Sequence, residues 1–143
     1  MIYTIGYATI TVTEIIEVMS SRRIGLLVDV RSIPYTRLPH KYEFNRNQLS
    51  RLVPYLWKGD VLGGKEGPAK EEGITWLVLK EEEGVSILLL CVESDPRKCH
   101  RYYDIAVRLL ERGIEAFHLW RPRSGAPLQE VTTTELNKEK DHG

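Results

Sequence analysis

Short apolar runs alternate along this chain with stretches whose apolar residues recur at helical spacing. Ile2-Tyr3-Thr4-Ile5, closed by Gly6, predicts a first strand. Thr11 and Glu14 form a capping-box pair. Apolar Ile15, Ile16, Val18 and Met19 follow, so a helix is expected to run to Arg22 and Arg23, just before Gly25. Leu26 to Val30 is nearly continuous in apolar side chains, the pattern of a strand buried on both faces. Arg31 to Phe44 carries two prolines and predicts a long loop. Asn45 and Gln48 then predict a capped short helix ending near Leu52. Tyr55-Leu56-Trp57, after Pro54, fits a short edge strand.

The second half repeats the alternation. Gly59 to Gly73 is rich in glycine and predicts a loop of a length that is often functional. Ile74 to Glu83 reads as a helix with a solvated acidic end, and Val85 to Cys91, the most apolar run, as a central strand. Pro96 predicts the first residue of a helix reaching Arg112, with Gly113 as its cap. Glu115 to Trp120 is a last strand. Residues 124–143 are polar, and fraying is expected beyond Gln129. Strands separated by helices imply right-handed crossovers. The expected fold is α/β: one domain over residues 1–123, a mostly parallel twisted sheet with helices on both faces, a Rossmann-like layer sandwich.

Composition narrows the function. The 143 residues are 42% hydrophobic and 28% charged, enough apolar material for a core without staples. Lys plus Arg equal Asp plus Glu at 20 each, which argues against a polybasic nucleic-acid binder. The neutrality conceals segregation, however. Residues 31–58 carry Arg31, Arg37, Lys41, Arg46, Arg51 and Lys58 against Glu43 alone, and residues 97–123 hold six further arginines. No apolar run has a membrane span's length, and the start Met1-Ile2-Tyr3-Thr4 lacks a signal peptide's pattern. With only Cys91 and Cys99, expected to be free thiols, the anticipated setting is cytoplasmic.

Open parallel sheets bind ligands beyond the carboxyl ends of their strands. Asp29 and Arg31 end the second strand and share a face by alternation. Glu93 and Ser94 follow the most apolar strand, and Ser94 or Asp95 caps the helix opening with Cys99, His100 and Arg101. Arg121 ends the last strand. The expected site combines Asp29, Glu93, Cys99 and His100 as catalytic candidates with Arg31, Ser94, Arg101 and Arg121 as anion ligands. Asp29, Arg31, Glu93, His100 and Arg101 are expected in one cavity. A thiol near a helix start beside His and Arg has a route to a lowered pKa. A buried structural thiol and a bracing Asp29–Arg31 salt bridge are the competing readings.

Tyr3-Thr4-Ile5-Gly6, Val28 to Pro34, Leu62-Gly63-Gly64, Leu89 to Glu93 and Cys99-His100-Arg101 together resemble, in order and spacing, the family catalogued as domain of unknown function 488. The resemblance spans roughly Met1 to Trp120. It implies this fold and a site at Asp29, Arg31, Glu93, Cys99, His100 and Arg101, and it supplies no activity or cofactor. The family's first turn usually reads Gly-His-Ser, where this chain has Gly6-Tyr7-Ala8.

Three functional readings follow. The first is a protein, enzyme or binder, for a phosphorylated or nucleotide-like small molecule. The second is a nucleic-acid module in which Tyr35, Tyr42, Phe44, Tyr55 and Trp57 interleave with the basic residues of segment 31–58. The third is a phosphatase-like loop from Cys91 to Arg97, disfavoured by Glu93, Asp95 and the lack of glycine. Cys91, Cys99 and His100 match no recognised zinc-ligand spacing, so no metal is expected from sequence.

Overall fold

The computed structural model describes residues 1–36 and 39–142. Six strands form one sheet in the order β3-β2-β4-β1-β5-β6: β1 (Ile2–Gly6), β2 (Leu26–Asp29), β3 (Tyr55–Trp57), β4 (Ile87–Cys91), β5 (Ala116–Trp120) and β6 (Gln129–Thr132). All neighbours pair in parallel except β5 and β6. The two most apolar runs, β1 and β4, are buried at every position and lie side by side at the centre. The α/β layer sandwich expected from the alternation is the fold observed.

Each face of the sheet has its own core. On one, α1 (Val12–Ser21) buries Val12, Ile15, Val18 and Met19, joined by Phe44 and by Leu49 of α2 (Arg46–Leu52). The capping box of α1 is complete: Glu14 N–H donates to Thr11 Oγ1 and Thr11 N–H to Glu14 Oε1, each at 3.1 Å. On the other face lie α3 (Gly59–Leu62), α4 (Glu71–Glu82) and the helix that ends in α5 (Val107–Glu111). They bury Leu62, Ile74, Leu77, Ile105 and Leu109. Chain leaving β2 therefore passes to one face, and chain leaving β4 to the other. Diverging connections open a crevice at the carboxyl edge between these neighbours.

Three local expectations are corrected. The helix expected from Pro96 breaks at Cys99. Pro96–Lys98 is a single 3-10 turn, Cys99 is extended (φ −128°, ψ 141°), and a wider π-helical stretch over Arg101–Ala106 then leads into α5. Asn45 does not cap α2 with its side chain; its Oδ1 accepts from the Thr36 N–H at 2.7 Å. Nor does the region beyond Gln129 fray, for it forms β6 and then α6 (Thr133–His142). Its anchor is a second capping box, Thr132 with Glu135, together with buried Thr133 and Leu136. The sheet thus continues past Arg123.

Candidate functional site

The eight residues singled out from sequence divide among two pockets and the packed interior between them. The crevice between β2 and β4 holds a pocket of about 260 Å³ lined by Arg31, Ser32, Gly64, Lys65, Cys91, His100 and Tyr103, among others. A neighbouring 340 Å³ pocket shares Ser32, Ile33 and Lys65 with it, making one cleft. Glu93, Ser94 and Arg121 line a separate pocket with Lys98 beyond β1 and β5. The five residues expected in one cavity are thus divided: Arg31 and His100 line the first of these pockets, Glu93 the last, and Asp29 and Arg101 neither.

Asp29 and Arg31 are a buried ion pair, as one of the two sequence readings had it. Arg31 Nε and Nη2 donate to the two Asp29 oxygens at 2.9 and 2.7 Å, and Nη2 also donates to Phe44 O at 2.7 Å. Tyr55 donates its hydroxyl to Asp29 Oδ2 at 2.5 Å. Burial and the bond to the Asp29 carboxylate both raise the Tyr55 pKa, keeping the phenol protonated. Burial works against the Arg31 charge, but Asp29 outweighs it and the guanidinium stays protonated. With every lone-pair direction of Asp29 engaged by donors, this carboxylate anchors Arg31; it is not placed as a free base. Arg31 Nη1 is buried and has no hydrogen-bond partner among the described residues.

Arg101, expected as an anion ligand, is fully buried. Its Nε donates to Thr4 Oγ1, Nη1 to Glu93 O and Nη2 to Ser94 O, at 3.0, 2.6 and 3.0 Å. This guanidinium braces the loop after β4 from below. Gly6 permits the close approach, since a Cβ there would fall 1.7 Å from Glu93 O. Among the described residues no carboxylate pairs with Arg101, and its charge instead favours thiolate at Cys91 and Cys99. Arg121 pairs with Glu14, and Ser94 donates its hydroxyl to Arg121 O. Burial of Glu14 opposes its ionisation, yet the bond from Arg121 and those from Thr11 hold its pKa below the ordinary value.

The chemically richest cluster is Cys91, Cys99 and His100. An aspartate-capped return makes it: Asp95 accepts from Arg97 N–H, Pro96 opens the 3-10 turn, and the extended Cys99 falls back beside the end of β4. His100 Nε2 lies 3.2 Å from Val30 O and 3.0 Å from Leu62 O. Carbonyl oxygens only accept, so Nε2 carries a proton. Nδ1 therefore turns toward the two sulfurs, 3.6 Å from Cys91 Sγ and 3.8 Å from Cys99 Sγ. The Cys91 thiol, hydrogen-bonded to Cys99 and buried, is raised well above its ordinary pKa. Donation from Cys91 holds Cys99 well below its own, against burial. Burial lowers the His100 pKa, but the bond to Cys99 prevails and the net direction is up. The glycine pair of the sequence has a steric reason here. A Cβ at Gly64 would sit 2.9 Å from His100 Cγ, and one at Gly63 2.3 Å from Ser32 Oγ.

The other two readings fare differently. Arg97 donates to Asp95 and Glu139, lies over the Trp120 ring and lines a different pocket from Cys91, so the Cys91-to-Arg97 segment does not form a phosphatase-like loop. In segment 31–58, Lys41 donates to Tyr7 O and Ile10 O, Phe44 is buried, and Arg46 covers Trp57. Its cations and rings are largely committed to one another; Tyr35 and Tyr42 are exposed, and Arg37 lies outside the described residues. Sequence reasoning missed Lys65 and Ser32, which the fold carries to the pocket from a glycine-rich loop and a strand end. No helix among the described residues is long and apolar enough to cross a membrane.

Against family models, curated proteins and solved structures alike, the chain finds no match.

Proposed function

We propose that this protein binds a small phosphate-bearing molecule in the crevice between β2 and β4. The observation that carries the reading is a lining shared by two basic residues, Lys65 and Arg31; Arg31 is fixed by Asp29, its guanidinium lies over the Tyr7 ring, and Nη1 has no hydrogen-bond partner among the described residues. A buried donor without an acceptor is costly, and an anionic oxygen within its reach would supply the acceptor. Because Asp29 already neutralises Arg31, the positive charge the lining offers an anion is that of Lys65. The 260 Å³ pocket suits a phosphate group, and the adjoining 340 Å³ space suits the nucleoside or sugar that carries it. Gly63, Gly64, Cys91 and His100, which build or border the pocket, are also among the residues on which kinship with domain of unknown function 488 is proposed.

The test is calorimetry with inorganic phosphate, pyrophosphate and nucleoside monophosphates. Lys65→Ala is expected to weaken binding about tenfold or more, the equivalent of one charge-assisted bond. Lys98→Ala, at the separate pocket, should leave affinity unchanged. Absence of binding across the panel, or equal losses in the two variants, overturns the reading.

A further inference from the structure

We propose that Cys91, Cys99 and His100 form a zinc-class metal site with three protein ligands and an open position facing the pocket. The sulfur and nitrogen atoms all lie within 4.8 Å of one another. Tetrahedral zinc with Zn–S near 2.3 Å and Zn–N near 2.0–2.1 Å sets its sulfur and nitrogen ligands roughly 3.5 Å apart. The two S···Nδ1 distances here are 3.6 and 3.8 Å, so two sides of the triangle are already close to ligand spacing.

The imidazole is also prepared in the way a metal ligand requires. Its Nε2–H is held by the Val30 and Leu62 carbonyls, which fixes the tautomer and leaves the Nδ1 lone pair directed at the sulfurs. Gly64 leaves the room the ring occupies, since a Cβ there would stand 2.9 Å from His100 Cγ. The ligand types, two cysteines and a histidine, select a borderline-soft cation over magnesium or calcium.

Access comes from one side. Cys99 is buried beneath, whereas Cys91 and His100 line the pocket together with Arg31 and Lys65. Two thiolates neutralise a divalent cation, and Asp29 neutralises Arg31, so it is the Lys65 and Arg101 charges that favour an anionic fourth ligand. That last statement rests on the phosphate reading above; the three-ligand site does not. Sequence spacing gives no sign of the site because a seven-residue return separates the two sulfurs, and only the fold closes it.

The experiment uses the full chain, freed of metal by chelator under reducing conditions and then loaded with Zn²⁺ or Co²⁺. The expected result is one metal per chain, with intense tetrahedral ligand-field bands and a sulfur-to-cobalt charge-transfer band. Cys99→Ser and His100→Gln should each abolish stoichiometric binding. Because those variants risk misfolding, a second measurement uses the unmodified protein: Zn²⁺ should shield both thiols from alkylation, and chelator should expose them again. Failure to retain metal, retention undiminished in Cys99→Ser, or no shielding of the thiols overturns the site. Phosphate added to the cobalt protein should shift its bands, and Lys65→Ala should remove that shift while keeping the metal. A cobalt spectrum with sulfur charge transfer but no phosphate response refutes the anionic fourth ligand and leaves the three-ligand site standing.

Discussion

Gly64 lies against the face of His100: a Cβ built at Gly64 would stand 2.9 Å from His100 Cγ and 3.2 Å from both Cβ and Cδ2. The contact ties a glycine-rich loop to the one imidazole that faces both cysteines. No unusual backbone angle is involved, so the constraint is purely one of space.

Gly64→Ala should therefore act by overpacking, costing about 1–3 kcal/mol of stability or displacing the imidazole. Gly25→Ala is the matched control, because nothing lies within 4 Å of a Cβ there. It should be neutral or stabilising by about 0.4–1 kcal/mol, through lost freedom in the unfolded chain. Chemical denaturation of the two variants decides the matter. A Gly64→Ala protein as stable as the parent, with unchanged His100 NMR shifts, would contradict the contact.

Arg101 and Arg112 should separate cleanly in stability. Replacing Arg101 by Met strips the partly buried bonds to Glu93 O and Ser94 O and the buried one to Thr4 Oγ1, and a buried polar group left unpaired costs about 1–3 kcal/mol. Arg112 pairs with the largely exposed Glu71, a contact worth at most about 1 kcal/mol. Urea unfolding should show the Arg101 variant several-fold more affected. Similar midpoints for both would mean that Arg101 is not the brace its hydrogen bonds describe.

His118 gives the stability a pH dependence of known sign. It is buried, and burial, with the nearby Arg101 charge, depresses its pKa to about 3. Its bonds to Thr4 Oγ1 at 2.6 Å and Thr133 Oγ1 at 3.0 Å suit the neutral ring. Arg101 Nε donates to Thr4 Oγ1, whose own proton then goes to His118 Nδ1, leaving Nε2–H for Thr133. In the unfolded chain the ring titrates near 6.5. The unfolded state thus binds the extra proton between about pH 6.5 and pH 3. The His118 contribution is whole above pH 6.5 and is lost as pH falls through that window. Unfolding free energies measured from pH 7.5 down to about pH 4.5 should decline in the parent and flatten in His118→Gln. A parallel decline in both proteins would assign the loss to other groups.

The sequence by itself determined the layers. Continuous apolar runs made β1 and β4 the buried centre and the Thr11–Glu14 box placed α1, because periodicity and capping are local properties of the chain. The Thr132–Glu135 box was just as local, and the signature that placed α1 would have found α6; the polar composition of the last residues obscured it. How each buried arginine is satisfied was not local. Arg31 and Arg101 are both buried, yet Arg31 pairs with a carboxylate, Asp29, while Arg101 is joined to two carbonyls. That outcome depends on where the loop after β4 passes over Gly6. The Cys91, Cys99 and His100 triangle was likewise decided by tertiary structure. It needs the break at Cys99, the carbonyls of Val30 and Leu62, and the empty space at Gly64, four places that meet only once the sheet has formed.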